Sequence, residues 1–270
     1  MNLTDRKSHF EFGENWRDYA KTVDRHRIHQ AVIGLQKLFP DGLSGQSFLD
    51  IGCGSGLHSL AAILSGASAV TAVDIDENSV ETTRQLLDRL APGSQCTVRV
   101  VSVFDLTPEQ YGRFDIVYSW GVLHHTGDMW RAIGRAAEMV KPGGEIAIAI
   151  YATTKLDAPW TLEKRFYSSA PTAVQWAIRQ GYMAAWLTNK AVRGYNPITV
   201  LRQYHDMRGM NFSHDAHDWL GGYPYQTASA DDLRSYFAKL DFEEVRAFAL
   251  PRSLGLFGSG CHEFVFRSRS

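Results

Sequence analysis

Asp50-Ile51-Gly52-Cys53-Gly54-Ser55-Gly56 puts an acid and three glycines between an apolar run and a helical pattern. At such a place the backbone must turn tightly and can lie directly against a ligand. The spacing is G-x-G-x-G, and Leu57 stands where the dinucleotide pattern would need its third glycine, which disfavours a nicotinamide or flavin cofactor. Asp50 would repel a pyrophosphate and attract an ammonium group, directly or through water. Asp74 and Asp76 close the next apolar run, where a carboxylate can accept both hydroxyls of a ribose. Asp105, after Val103 and Phe104, is placed to accept from an adenine amino group, with Phe104 beside the base. An ammonium, a ribose and an adenine without a phosphate describe S-adenosylmethionine.

These residues need a scaffold that delivers them to one edge. Ser47–Ile51, Ala69–Ile75, Thr97–Val103, Phe114–Ser119 and Glu145–Tyr151 read as strands, with Lys141–Gly144 as a turn. Helical patterns lie between them at Leu57–Leu64, Ser79–Leu90 and Met129–Val140, and one or two amphipathic helices precede them over Asn15–Leu38. This alternation predicts an α/β fold, a doubly wound, mostly parallel sheet that binds ligands at the carboxyl ends of its strands. Residues 152–222 break the rhythm with crowded aromatics and read as a helical and irregular lid inserted after the fifth strand. A helix over Asp231–Leu240, capped by Ser229, and strands Glu244–Leu250 and His262–Arg267 then finish the sheet. The expected organisation is one domain: entry helices 1–45, cofactor-binding core 46–151, lid 152–222, and closing elements 223–270.

Composition bounds the partners. Twenty-eight Lys+Arg against 29 Asp+Glu leave a net charge of -1, so no global cationic field favours nucleic acid. Three scattered cysteines give no disulfide framework and no C-x-x-C pair. The polar amino terminus lacks a signal-peptide core and no uncharged apolar run reaches about 18 residues, so a cytoplasmic protein is expected.

DIGCGSG, VDID, SVFD, FDIVYSWGVLHHTG and KPGG, in this order, resemble the class I S-adenosylmethionine-dependent methyltransferases over Phe48 to Tyr151, and within them the small-molecule, ubiquinone or quinol methylase-like group. The resemblance implies a seven-stranded Rossmann-like sheet with its last strand antiparallel. It also implies that Gly52 and Gly54 line the methionine moiety with Asp50 near its amino group, that Asp74 binds the ribose, that Ile75 and Phe104 pack on the adenine, and that Asp105 holds the adenine amino group. Trp120 would lie by the reactive end. Phe12–Trp16 and Gly258–Phe266 are similar to segments of bacterial methyltransferases of unassigned substrate.

A sulfonium already activates its methyl group, so the protein must align a nucleophile, exclude water and, for a hydroxyl acceptor, remove a proton. His124 and His125, at the carboxyl end of the fourth strand, are candidate bases, because histidine titrates near neutrality. A second cluster holds His205, His214 and His217, followed by Tyr223 and Tyr225 in GGYPY. His214 is a further candidate base, and His205, His217, Tyr223 and Tyr225 are candidate substrate contacts. The His/Asp spacing in this cluster matches no established ligand motif, so no metal is expected. Ala173–Leu187 is the most apolar part of the lid. Core packing is the expected use of this tract, with a membrane surface or a lipid-tailed substrate as the alternative. The function predicted is methyl transfer to a small molecule, at a hydroxyl oxygen. Its rivals are a tRNA or protein methyltransferase, and a fold member that uses S-adenosylmethionine for another reaction or as a non-catalytic subunit.

Overall fold

The computed structural model describes residues 23–208 and 212–269. The sequence elements at Phe12–Trp16, and the first part of the Asn15–Leu38 helical pattern, lie outside the described residues. Seven strands form one sheet: β1 (Ser47–Ile51), β2 (Ala69–Asp74), β3 (Cys96–Val100), β4 (Phe114–Trp120), β5 (Val140–Tyr151), β6 (Phe242–Phe248) and β7 (Cys261–Ser268). Their spatial order is β3-β2-β1-β4-β5-β7-β6. β1 to β5 pair in parallel, whereas β7 runs antiparallel to both β5 and β6. The order reverses between β1 and β4, and in open α/β sheets the crevice at such a switch point is where ligands bind.

Alternation along the strands covers both faces of the sheet. Leu49, Val117, Ile146, Ile148, Phe264 and Phe266 point to one core, whereas Phe48, Ile116, Tyr118, Ala147 and Val265 point to the other. The first core is closed by α4 (Met129–Glu138) and α9 (Ala230–Lys239). The second is closed by α1 (Arg25–Leu38) and α2 (Leu57–Leu64). α3 (Glu77–Leu90) flanks β2 and β3. Helix starts follow side-chain chemistry: Asp76 accepts from the Ser79 amide at 2.9 Å to cap α3, and Ser229 with Asp232 forms a capping box on α9.

Four helices fill the region between β5 and α9: α5 (Asp157–Ser169), α6 (Thr172–Val192), α7 (Pro197–Arg208) and α8 (Phe212–Gly221). α8 is the inner element, in contact with α5, α6 and α7. Trp160 Nε1 donates to the Gly255 carbonyl at 2.6 Å, and the Thr227 hydroxyl donates to Asp157 at 2.7 Å. These bonds fasten the lid to the closing elements.

Three expectations are corrected. Lys141–Gly144 is not a turn between elements but an irregularity inside β5, where pairing to β4 jumps from Phe114↔Val140 to Ile116↔Glu145. Pro142 cannot donate to a ladder and Gly143 has φ +75, so this stretch loops out without ending the strand. β6 lies two residues earlier than predicted, because Phe242 docks against Phe237. Ala173–Leu187 is not core: no residue of α6 is buried. Apolar composition alone does not bury a helix: this tract packs through half-buried Tyr182 and Trp186 on Phe257, Tyr204 and Phe212, and leaves Val174 and Trp176 exposed. Among the described residues, no helix is long and apolar enough to cross a membrane.

Candidate functional site

The glycine turn leaves β1 at the switch point. Gly52 has φ +78, and a Cβ there would lie 2.5 Å from Val122 of the loop after β4, so only glycine lets the two loops approach. The Gly52 amide donates to the Val73 carbonyl at 2.8 Å, and the Gly54 amide donates to Asp74 Oδ2 at 3.0 Å. Asp74 Oδ1 accepts from the Asp76 amide at 2.9 Å. The carboxylate of β2 is thus held against the turn of β1.

Asp50 is buried and takes a 2.6 Å hydrogen bond from the Ser59 hydroxyl of α2. Burial pushes its pKa up to about 7, with the Asp74 charge adding to the rise. Burial also pushes Asp74 up to about 6, against the lowering effect of its two amide partners. A buried carboxyl, Asp50, beside a half-buried one, Asp74, suits a ligand bringing positive charge and hydroxyl donors, and would reject a phosphate. This pair of acceptors therefore fits the ammonium and ribose of an adenosyl amino acid.

Beyond them, Ile75 is half-buried and Asp105 is exposed at the end of a short 3-10 turn, Val103–Asp105. Phe104 is half-buried, with the Arg131 guanidinium 4.7 Å from its ring centre. Trp120 ends β4 at 44% exposure, with the His58 ring 6.4 Å away. His58, on α2 and 5.1 Å from the Tyr118 ring, is held neutral by burial, which lowers its pKa to about 4. A lone histidine inside an apolar helical face gave no sequence signal for this placement.

A second group gathers at the ends of β4 and β5. His124 is fully buried and packs on Tyr151, with ring centres 3.9 Å apart, and its Nδ1 accepts from the Tyr151 amide at 3.4 Å. Burial holds it neutral, so its proton sits on Nε2, which has no hydrogen-bond partner among the described residues. His125 is half-buried, with Nδ1 2.8 Å from the Pro224 carbonyl, which places that ring proton on Nδ1 and leaves Nε2 as the basic nitrogen. Tyr225 is buried, with its ring 5.6 Å from Tyr151 and 6.1 Å from Trp219.

The structure therefore brings Asp50, Gly52, Gly54 and Asp74 together at one strand end, and His124, His125 and Tyr225 at the adjacent one. His217 instead pairs with Tyr167, Nδ1 to hydroxyl, at 2.7 Å. Tyr223 is half-buried beside the same loop. His205 lies on α7 and His214 on α8, with side chains outside the described ones. Sequence reasoning passed over Tyr151, Trp219 and Lys164, although Tyr151 could have been found as the carboxyl-terminal residue of β5, next to the switch point. Among the described residues, no group of three His, Cys, Asp or Glu side chains could hold a metal ion.

Comparison with known proteins follows this geometry. Residues 48–144 match a family model described as a methyltransferase domain. The chain is 36% identical over 121 residues to the ubiquinone biosynthesis O-methyltransferase of Idiomarina loihiensis, covering 45% of this chain and 49% of that one. It is 34% identical over 158 residues to the enzyme of the same name from Xanthomonas euvesicatoria pv. vesicatoria, covering 56% and 64%. The chain thus spans about half the length of the first relative and less than two thirds of the second. Among solved structures, it superposes on magnesium protoporphyrin IX methyltransferase from Synechocystis PCC 6803 with a TM-score of 0.54 at 18% identity, over 92% of this chain and 86% of that one. At that identity the likeness concerns the fold.

Proposed function

We propose that this chain, which carries a class I methyltransferase domain over residues 48–144, transfers the methyl group of S-adenosylmethionine to the hydroxyl oxygen of a small molecule. The observation that carries the reading is the pair of desolvated carboxyls, Asp50 and Asp74, fastened to the glycine turn at the sheet's switch point. When bound, S-adenosylmethionine supplies an electrophilic methyl that leaves a neutral thioether, S-adenosylhomocysteine, behind. In this reading Asp50 faces the amino group beside Gly52 and Gly54, Asp74 accepts from the ribose, Ile75 and Phe104 flank the adenine, and Asp105 accepts from its amino group. Trp120 walls the reactive end, and the lid keeps water away from it.

His125 removes the acceptor proton through Nε2, since its other nitrogen is committed to Pro224. His124 is the alternative base, and its burial makes it a donor first. His214, His205, His217, Tyr223 and Tyr225 complete the acceptor side in this reading. Core, lid and closing elements act as one unit in the cytoplasm. His125→Asn should lower kcat by about 100-fold or more while leaving S-adenosylhomocysteine affinity unchanged, measured by steady-state kinetics and calorimetry on the same preparation.

The test is incubation with methyl-labelled cofactor and a cell extract separated into small molecules, lipids, RNA and protein. Label in the small-molecule fraction is expected. Label in RNA or protein would replace the acceptor class, and cofactor binding without transfer to any fraction would favour a non-catalytic or different use of the fold. A second reading, a lipid-tailed acceptor met at a membrane surface, is favoured by the outer lid. There Leu162, Phe166, Trp176, Val192 and Ile198 are exposed near exposed Arg165, Arg193 and Arg202. Label in the lipid fraction would select it.

A further inference from the structure

Lys164, in the middle of α5, has 0% exposure. Its ammonium donates to the Trp219 carbonyl and sits 3.7 Å from the centre of the Trp219 ring, 5.0 Å from that of Tyr225 and 5.9 Å from that of Trp160. Among the described residues no carboxylate forms an ion pair with it. A lysine is almost never fully buried unless it is paired, because desolvating an ammonium costs several kcal/mol. Ring faces recover only part of that cost, and one carbonyl satisfies one of three protons.

The box is continuous with the candidate acceptor site. Trp219 and Tyr225 both pack on Tyr151, whose ring lies against His124 and His125. The Lys164 charge is close enough to His124 to help keep that ring neutral. Two further buried donors in this cluster have no hydrogen-bond partner among the described residues, His124 Nε2 and Trp219 Nε1. Two unanswered donors beside an ammonium that bonds one carbonyl offer places for an oxygen acceptor carrying negative charge, which Glu163 does not fill by a hydrogen bond.

Glu163 is the acid nearest in sequence, about 100° round the helix from Lys164. Its charge acts on Lys164 and on Tyr167, but its two oxygens have no hydrogen-bond partner among the described residues, so it is a counter-charge that does not bond the ammonium. Burial pushes Glu163 up and Lys164 down, toward their neutral forms, while the charge of each opposes that shift in the other. An anionic group brought to Lys164 would restore its proton and supply the missing partner.

We infer that Lys164 anchors an anionic oxygen group of the acceptor, a carboxylate or ionised phenol, in the box formed by Trp160, Trp219 and Tyr225. The inference rests on the methyl-transfer reading and narrows its substrate class to acids. It makes Lys164 a specificity-determining residue that binds the acceptor at a point distinct from the reacting oxygen.

The experiment is calorimetric titration of benzoate, and of its neutral isostere benzamide, into full-length protein saturated with S-adenosylhomocysteine. Wild type should bind benzoate at least about tenfold more tightly than benzamide. Lys164→Met, which keeps the length and apolar stem, should bring the ratio to about one while S-adenosylhomocysteine affinity is unchanged. A purely structural lysine would leave the ratio untouched. Equal affinities in wild type, no saturable binding of benzoate below about 10 mM, or a ratio that survives in Lys164→Met would overturn the inference. The wild-type comparison decides the matter even if the variant does not fold. Absence of S-adenosylhomocysteine binding in the first titration would instead bring down the methyl-transfer reading, and the inference with it.

Discussion

The ends of β1 and β2 and the region under the lid solve the same problem, placing buried polar groups next to a ligand, in opposite ways. At β1 and β2, Asp50 has Ser59, Asp74 has the amides of Gly54 and Asp76, and Thr83 donates to the Gly54 carbonyl at 3.2 Å. Under the lid, His124 Nε2, Trp219 Nε1 and both oxygens of Glu163 have no hydrogen-bond partner among the described residues, and Lys164 is buried with the Glu163 charge near but not bonded to it. An unsatisfied buried polar group costs about 1–3 kcal/mol, so the lid side carries a deficit that the well-packed sheet must offset. In the proposed reading one half of the site is therefore pre-formed, and the other is completed by the acceptor.

Stability should divide along the same line. Phe237 on α9 is fully buried and stacks on Phe266 with ring centres 4.0 Å apart. Phe237→Ala is expected to cost about 3–5 kcal/mol in urea denaturation. A cost below about 1 kcal/mol would show that the closing elements are not part of the cooperative core. Next in size is Asp74→Ala, which removes the charge and the anchor for the Gly54 amide. It should weaken S-adenosylhomocysteine binding by about 1–3 kcal/mol, and unchanged affinity would remove Asp74 from the ribose position. Trp176→Ser on α6, where the ring is 58% exposed, should change stability by no more than about 0.5 kcal/mol. A large loss there would mean that the outer lid is covered in solution.

The same division explains what could be read from the sequence. The glycine turn, the acid at the end of each of the first strands and the Ser229 cap are short-range patterns in which residue type and spacing carry the physics. Asp76 reads as a ribose contact beside Asp74, and the structure shows its carboxylate capping α3 through the Ser79 amide. The lid was much less legible. Ala173–Leu187 has the composition of a core helix, yet none of its residues is buried, because burial depends on the partners that the fold brings and hydropathy carries no information about them. Lys164 reads as a surface residue in any window of sequence, because its box is assembled from α5, α8 and the Tyr225 loop. His217 reads as a substrate contact because it sits among other histidines, and its pairing with Tyr167 on another helix is not visible in that spacing.

The central claim is that Asp50 and Asp74 form a site for the amino and ribose groups of an adenosyl amino acid. Their pKa values lie near 7 and near 6, so in the unliganded protein at pH 6.5 part of this pair is protonated. A ligand that brings an ammonium and hydroxyl donors favours the ionised forms, so binding must expel protons and must tighten as pH rises through this range. Titration of S-adenosylhomocysteine at pH 6.5 in two buffers of different ionisation enthalpy measures this directly. The account predicts saturable binding with net proton release that fades by about pH 8.5. Proton uptake, pH-independent affinity, or no binding at all would contradict it.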